Sequence, residues 1–341
     1  MIKGIQIIGT QRSGSNLLRV MLHQSSHICA PHPPHILKTF FPILEMYGDL
    51  SVDYNFRRLV ADICTLIRLN PVSWNYFYET QDIIDRCENN SLPQILKAVY
   101  ELKAVQKNAN IWCCKSMANV KYYASMEDAG VQPFYIYLYR DGRDVALSFM
   151  KAVVGEKHIY HLAKQWKQDQ NMALNLEKEI GKERFFRISY EELTRNPKAI
   201  LIELCLRLSI PFEPQILNYY KSNESKITAE AGNMWNNLVK PVIKHNSNKF
   251  IHELSTEEIL IFESIAGEIL ENLDYPLIND RSVLRNNFTP AEIDDFCAKN
   301  KSMKESVREH VTLDMEKRQA QEDFVHNLYQ DYYSFEAITK Q

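Results

Sequence analysis

The apolar, β-branched run Ile5-Gln6-Ile7-Ile8 reads as a buried strand, and Leu17-Leu18-Arg19-Val20-Met21-Leu22 has the apolar spacing of a helix. Between them stand only Gly9-Thr10-Gln11-Arg12-Ser13-Gly14-Ser15-Asn16. A strand joined to a helix through a loop of small residues is a phosphate-cradling arrangement. The free N–H groups of the helix's first turn, backed by its dipole, form an anion site, and small side chains let a phosphate approach the backbone. The chain is therefore expected to carry an α/β unit built around an anion-binding loop.

The loop departs from a nucleoside-triphosphate site. Such a site reads G-x-x-x-x-G-K-[ST], with lysine on the β/γ-phosphates and Ser/Thr on magnesium. Gly9 and Gly14 stand at that separation, but Ser15 and Asn16 occupy the Lys and Ser/Thr places, and the loop's cation is Arg12. That suits an anion held by arginine and backbone. A second strand-like run, Phe134-Tyr135-Ile136-Tyr137-Leu138-Tyr139, delivers the chain into Arg140-Asp141-Gly142-Arg143-Asp144-Val145-Ala146-Leu147-Ser148. An arginine at a strand's end and a serine in the following helix can present two donors to one phosphate.

Taken together, these stretches resemble the sulfotransferases that use 3'-phosphoadenosine 5'-phosphosulfate (PAPS). In that family the first loop, often written P-R-S-G-T/S, holds the 5'-phosphosulfate, and the second, R-D-x-R-D-x-x-x-S, holds the 3'-phosphate. Trp112-Cys113-Cys114-Lys115-Ser116 is similar to the family's strand ending in Lys-Ser/Thr, and Ile188-Ser189-Tyr190-Glu191-Glu192-Leu193 with Asn196-Pro197 to its Y-E-D-L…P element. The resemblance implies a three-layer α/β fold with a central, mostly parallel sheet and a P-loop-like 5'-phosphosulfate loop. Residues 1–281 would form the sulfotransferase domain, with a helical, aromatic-rich insert at 38–110 near the acceptor pocket, and 282–341 a helical C-terminal extension.

The resemblance also assigns roles. PAPS would be the co-substrate, 3'-phosphoadenosine 5'-phosphate the product, and no metal would take part. Arg12, Ser13, Gly14, Ser15 and Asn16 would hold the 5' end, Arg140 and Ser148 the 3'-phosphate, and Tyr190 would lie near the adenine. Lys249, in the loosely matching late stretch His245-Asn246-Ser247-Asn248-Lys249-Phe250, is the candidate for a further 3'-phosphate contact. Lys115 would lie close to the sulfuryl group. In related enzymes the stretch after the first helix returns a Glu or His that acts as base. Here Ala30-Pro31-His32-Pro33-Pro34-His35 offers no glutamate, which leaves His32 first, His35 behind it, and His158 in reserve.

The implied reaction is in-line transfer of a sulfuryl group from PAPS to the hydroxyl of a small-molecule or lipid-like acceptor. Aromatic residues crowd the insert, among them Phe40, Phe41, Tyr47, Phe56, Trp74, Tyr76, Phe77 and Tyr78, and they favour an apolar or ring-bearing alcohol. A glycan or a tyrosyl peptide stays open as acceptor. A P-loop nucleotide kinase and a catalytically silent, sulfotransferase-like binding protein are the alternative readings.

Composition bounds the rest. Forty basic against 43 acidic residues do not favour nucleic-acid binding. The start lacks a signal-peptide core, and no apolar run approaches the ~20 residues that span a membrane, so a cytoplasmic protein is expected. The seven cysteines contain no C-x-x-C pair and read as reduced core thiols, with Cys113 and Cys114 on opposite faces of a strand. Ser91 with Gln94, Ser255 with Glu258 and Thr289 with Glu292 have capping-box spacing. Apolar stripes at Val307, Val311 and Met315, and at Val325, Leu328, Tyr329, Tyr332 and Tyr333, predict a helical tail. Such a tail packs on its own core, closes over the active site, or docks on a second copy as a homodimer.

Overall fold

In the computed structural model, residues 3–75, 78–309 and 312–339 are described. Tyr76, Phe77 and Val311 lie outside them. Five strands, β1 (Lys3–Ile8), β2 (Ile28–Cys29), β3 (Ile111–Cys114), β4 (Phe134–Tyr139) and β5 (Phe185–Ser189), form one sheet in the order β2-β3-β1-β4-β5. Every pairing is parallel, with Ile5 opposite Cys113 on one side and Phe134 on the other. Parallel strands are covered on both faces, which is why their sequences are nearly unbroken apolar runs. Strand order reverses beside β1, so a crevice opens outside the carboxyl ends of β1 and β4, where open α/β sheets bind ligands.

Helices fill the outer layers. On one face Leu18 and Leu22 of α1 (Ser15–His23), with Leu201 and Leu204 of the helix Pro197–Leu208, pack on Ile5, Ile7, Ile136 and Ile188. On the other, Val145, Trp166 and Phe262, from the helices Gly142–Met150, Ile159–Ile180 and Thr256–Asn272, cover Ile8, Tyr135 and Tyr137. The insert has its own core, in which Phe40, Phe56, Trp74 and Tyr100 meet Trp112 and Cys114 of β3. Adjacent side chains on a strand point to opposite faces, and Cys113 accordingly joins the α1 side while Cys114 joins the insert. All seven cysteines are free thiols; Cys297 differs from the core expectation in being exposed.

Two of the capping boxes form. Ser255 and Glu258 exchange side-chain and backbone bonds, and Glu292 accepts from Thr289 N at 2.8 Å while Thr289 Oγ1 accepts from Glu292 N at 3.3 Å. At Ser91 the helix Leu92–Gln106 starts where expected, but the Ser91 side chain makes no capping bond. Gln94 instead donates to Ala129 O at 2.7 Å and accepts from Glu88 N at 3.3 Å, a tertiary tie that replaces the local box.

The C-terminal helices run Pro290–Glu309 and Thr312–Thr339. The second returns to the domain: Leu328 is buried in the insert's core, Tyr329 Oη donates to Thr39 O at 3.2 Å, and Gln321 Nε2 to Leu66 O at 3.0 Å. Among the described residues no helix is long and apolar enough to cross a membrane.

Candidate active site

Close approach explains the first loop's glycines. Gly9 has φ +124°, and a Cβ there would stand 2.3 Å from Leu138 O; Gly14 has φ +87°, with its Cβ position 2.4 Å from the Tyr190 ring. Both the left-handed backbone and the contact require glycine. Between them Arg12 also adopts a left-handed φ of +72°, and Ser13 is fully buried with no hydrogen-bond partner for its Oγ among the described residues. Arg12 Nε donates to Ser148 Oγ at 3.0 Å, joining the two motifs across 136 residues. Burial, then the nearby Arg140 charge, lower the Arg12 guanidinium to about 10. Two arginines side by side, Arg140 buried and Arg12 half-buried, suit an anion between them.

Only part of the second motif faces the cavity. Asp141 caps the helix Gly142–Met150 by accepting from Arg143 N at 2.9 Å, and Arg143 donates to Asp141 at 2.7 Å and to Glu263 at 2.5 Å in a buried network. Asp144 accepts from Asn248 N at 2.7 Å and Phe250 N at 3.1 Å, which holds the late loop carrying Lys249 against the crevice. Arg140 stacks 4.3 Å over the Tyr190 ring and donates to Asn246 O at 2.6 Å, while its Nε has no hydrogen-bond partner among the described residues. Trp166 Nε1 donates to Arg140 O at 3.2 Å and so supports the start of the motif from behind.

Lys115 is positioned from below. Gln6, buried in β1, donates to Cys114 O and Ser116 O, both at 3.1 Å, and so clamps the peptide units on either side of the lysine. Lys115 is 7% exposed, and burial, followed by the charges of Arg19 and Arg12, lowers its ammonium to about 7.

Both loop histidines reach the site. The His32 carbonyl accepts from Trp74 Nε1 at 2.6 Å and Asn70 Nδ2 at 3.0 Å, so the insert fixes the loop. Its ring is 4% exposed, lies edge-on to Trp235 at 4.9 Å, and neither ring nitrogen has a hydrogen-bond partner among the described residues. Burial, then Lys115, hold His32 well below the usual imidazole value, and the same two causes act on His35. His35 has φ +65°, and its Nδ1 lies 2.9 Å from Ser116 Oγ. His158 is elsewhere: it caps the helix Ile159–Ile180 and stacks on Phe296 at 4.7 Å.

These elements enclose a cavity of about 500 Å³ at the carboxyl ends of β1, β3 and β4. It is lined by Arg12, Gly14, Ser15, Asn16, His32, His35, Lys115, Arg140, Ser148, Tyr190 and Lys249, while Ser13 lies behind the loop. Sequence reasoning gave no role of their own to Lys38, Asp144, Trp235, Asn246 and Arg318, which also line it, although Asn246 stood in the late stretch read with Lys249. Asp144 was legible as part of the R-D-x-R-D repeat; the others follow from packing of distant segments. Among the described residues of the insert Lys38 alone borders the cavity, and Phe40, Tyr47, Phe56, Trp74 and Tyr100 are spent on the insert's own core. Among the described residues no cluster of His, Cys, Asp and Glu could hold a metal ion.

A parallel α/β sheet with a glycine-bounded loop after β1 and an arginine-led helix after β4 defines a P-loop-like α/β fold. The chain belongs to the sulfotransferase family, whose model matches residues 4–214. It is similar to a sulfotransferase domain from the curacin biosynthetic pathway, at 23% identity and a TM-score of 0.53, over 81% of this chain and 99% of that one. The sulfotransferase domain of the Synechococcus PCC 7002 olefin synthase gives 19% identity and a TM-score of 0.49, over 77% and 94% of the two chains. A sulfotransferase from Mycobacterium avium gives 14% and 0.43, over 82% and 79%. No curated protein matches the chain.

Proposed function

We propose that the protein transfers a sulfuryl group from PAPS to the hydroxyl of a small-molecule or lipid-like acceptor, with His32 as base. The observation that carries this reading is the meeting of the two anion motifs through Arg12 and Ser148, with Arg140 beside them. Arg140 Nε, with no hydrogen-bond partner among the described residues, fits a ligand rich in phosphate oxygens. Arg12 and the amides of residues 13 to 16 would hold the 5' end, Arg140, Ser148 and Lys249 the 3'-phosphate, and Tyr190 would support the adenine.

When bound, PAPS supplies the sulfuryl group: the acceptor oxygen bonds to sulfur as the sulfur–oxygen bond to the 5'-phosphate breaks. Negative charge then grows on that phosphate, where Arg12, Lys115 and the loop amides are preorganised to stabilise it, a contribution of about 3–4 kcal/mol per donor in comparable sites. His32, held neutral by burial, takes the acceptor's proton on a ring nitrogen. His35, whose Nδ1 engages Ser116, stands second.

The reading is tested by calorimetric titration of 3'-phosphoadenosine 5'-phosphate into the wild type and Arg140→Ala. Binding weakened roughly 10- to 100-fold in the variant is expected from loss of charge-assisted hydrogen bonds. Equal affinities would remove the second motif from the nucleotide site.

A further inference from the structure

Arg19 is a fully buried cation at the centre of α1, and none of the roles above uses it. Its guanidinium bonds to three separate parts of the chain. Nε donates to Asn16 Oδ1 at 3.1 Å, at the start of its own helix. Nη1 donates to Ala30 O at 3.0 Å, two residues before His32, and also to Glu224. Nη2 donates to Thr228 Oγ1 at 2.7 Å.

Each of these acceptors leads to the site. Asn16 borders the cavity. Because a guanidinium can only donate, it takes the amide oxygen of Asn16 and leaves the Nδ2 donors for a ligand. Ala30 is also held through its N–H, which donates to His23 Nδ1 at 3.1 Å. His23 lies one turn after Arg19, so a single face of α1 grips both backbone groups of Ala30. Glu224 and Thr228 belong to the helix Asn223–Glu230, which packs on the segment Asn233–Val239. That segment carries Trp235, whose ring meets His32 edge-on. Arg19 therefore braces both the backbone that carries His32 and the segment that backs its ring. Burial is the main cause that lowers Lys115 and His32, and the Arg19 charge adds to it in each, so both lie within its electrostatic reach.

We propose that Arg19 is a positioning residue that couples the nucleotide site to the base. An anion that engages Asn16 and the loop after β1 acts through Arg19 on Ala30 and on the helix Asn223–Glu230, and so fixes His32 relative to the sulfuryl group. This rests on the sulfotransferase reading and adds to it the means by which the base is set. Pairing with Glu224 alone would be met by lysine, whose head is a compact point charge. The planar fork of arginine is what reaches Asn16, Ala30 and Thr228 at the same time.

The test is amide hydrogen exchange, followed by mass spectrometry, on the full-length protein with and without 3'-phosphoadenosine 5'-phosphate. Residues 28–31 and 223–230 do not border the cavity, so any slowing there is transmitted to them. In the wild type the nucleotide should slow exchange in both segments by about 3-fold or more, alongside the anion loop itself. Arg19→Lys keeps a charge beside Glu224. It should bind the nucleotide within about 5-fold of the wild type and still protect the anion loop, yet lose the slowing at 28–31 and 223–230. Arg19→Met combined with Glu224→Met replaces the buried pair by apolar side chains of similar volume, and should behave alike where the lysine variant does not fold. Undiminished slowing of both segments in either folded variant overturns the proposal. So does collapse of the fold in both variants, or a fall in melting temperature, nucleotide affinity and anion-loop protection in step with the distant signal, since Arg19 would then only hold the frame together. If the wild type does not bind the nucleotide, the sulfotransferase reading falls and this proposal with it; binding without slowing at the two distant segments removes this proposal alone.

Discussion

Arg12 Nε donates to Ser148 Oγ at 3.0 Å, so the loop after β1 and the helix after β4 are one unit although 136 residues separate them. The expected consequence is that neither of the two proposed phosphate sites can be altered in isolation. Arg12→Ala should lower turnover by about 10²-fold or more, as removal of a preorganised donor does, and should also weaken nucleotide binding. Ser148→Ala should show a smaller loss on both. Steady-state kinetics alongside nucleotide titration checks the pair, and an Arg12→Ala variant with normal turnover would contradict the shared site.

His32 borders the cavity with two ring nitrogens that have no hydrogen-bond partner among the described residues, whereas His35 engages Ser116. His32→Ala is expected to lose about 10²- to 10⁴-fold in turnover and keep its nucleotide affinity. His35→Ala should lose less. The reverse order in single-turnover rates would exchange their roles.

The histidines also set a pH dependence of stability. Burial holds His32 and His35 well below their usual range and takes His23, whose Nδ1 accepts from Ala30 N at 3.1 Å, to about 3. Below about 6.5 the unfolded chain therefore binds more protons than the folded one, and stability is full above that pH and lost as it falls, by up to about 1.4 kcal/mol per pH unit for each group. Melting temperature should drop between pH 7 and pH 4.5. His23→Gln, which keeps an acceptor for Ala30 N, should make that drop shallower, and an unchanged slope would exclude His23 as a contributor.

Gly14 combines a left-handed φ of +87° with a Cβ position 2.4 Å from the Tyr190 ring. Gly14→Ala should cost about 1–3 kcal/mol of stability through backbone strain, with any added cost from displacing the ring. Because Tyr190 also stacks under Arg140, nucleotide affinity should fall as well. Chemical denaturation and nucleotide titration measure the two effects separately.

What the sequence disclosed depends on how far the relevant contacts reach. The anion loop was legible because its signals, strand, small residues and helix, are local to some twenty positions. The insert was less legible for the opposite reason. Its aromatic residues have the same pattern whether they line a pocket or fill a core, and only the three-dimensional packing shows that Phe40, Tyr47, Phe56 and Trp74 fill a core while Lys38 borders the cavity. Lys38, Trp235 and Arg318 meet from three segments spread over nearly the whole chain, a distance that no spacing rule covers. The clamp of Gln6 on Cys114 O and Ser116 O was hidden similarly, since a lone polar residue in a strand carries no sign of its partner. Thr289 with Glu292 kept its local box while Ser91 with Gln94 gave its box up to Ala129, so even a short motif yields where a half-buried tertiary carbonyl competes for the side chain.

The most direct measurement is a thermal-shift comparison of three ligands: 3'-phosphoadenosine 5'-phosphate, the analogue without the 3'-phosphate, and ATP with magnesium. A ligand that binds only the folded state raises the melting temperature according to its affinity, so the assay needs no acceptor. A large shift with the bisphosphate, a small one without the 3'-phosphate and little with magnesium-ATP is the expected result. No shift with the bisphosphate, or a larger one with magnesium-ATP, would contradict a nucleotide site built from Arg12, Arg140 and Ser148.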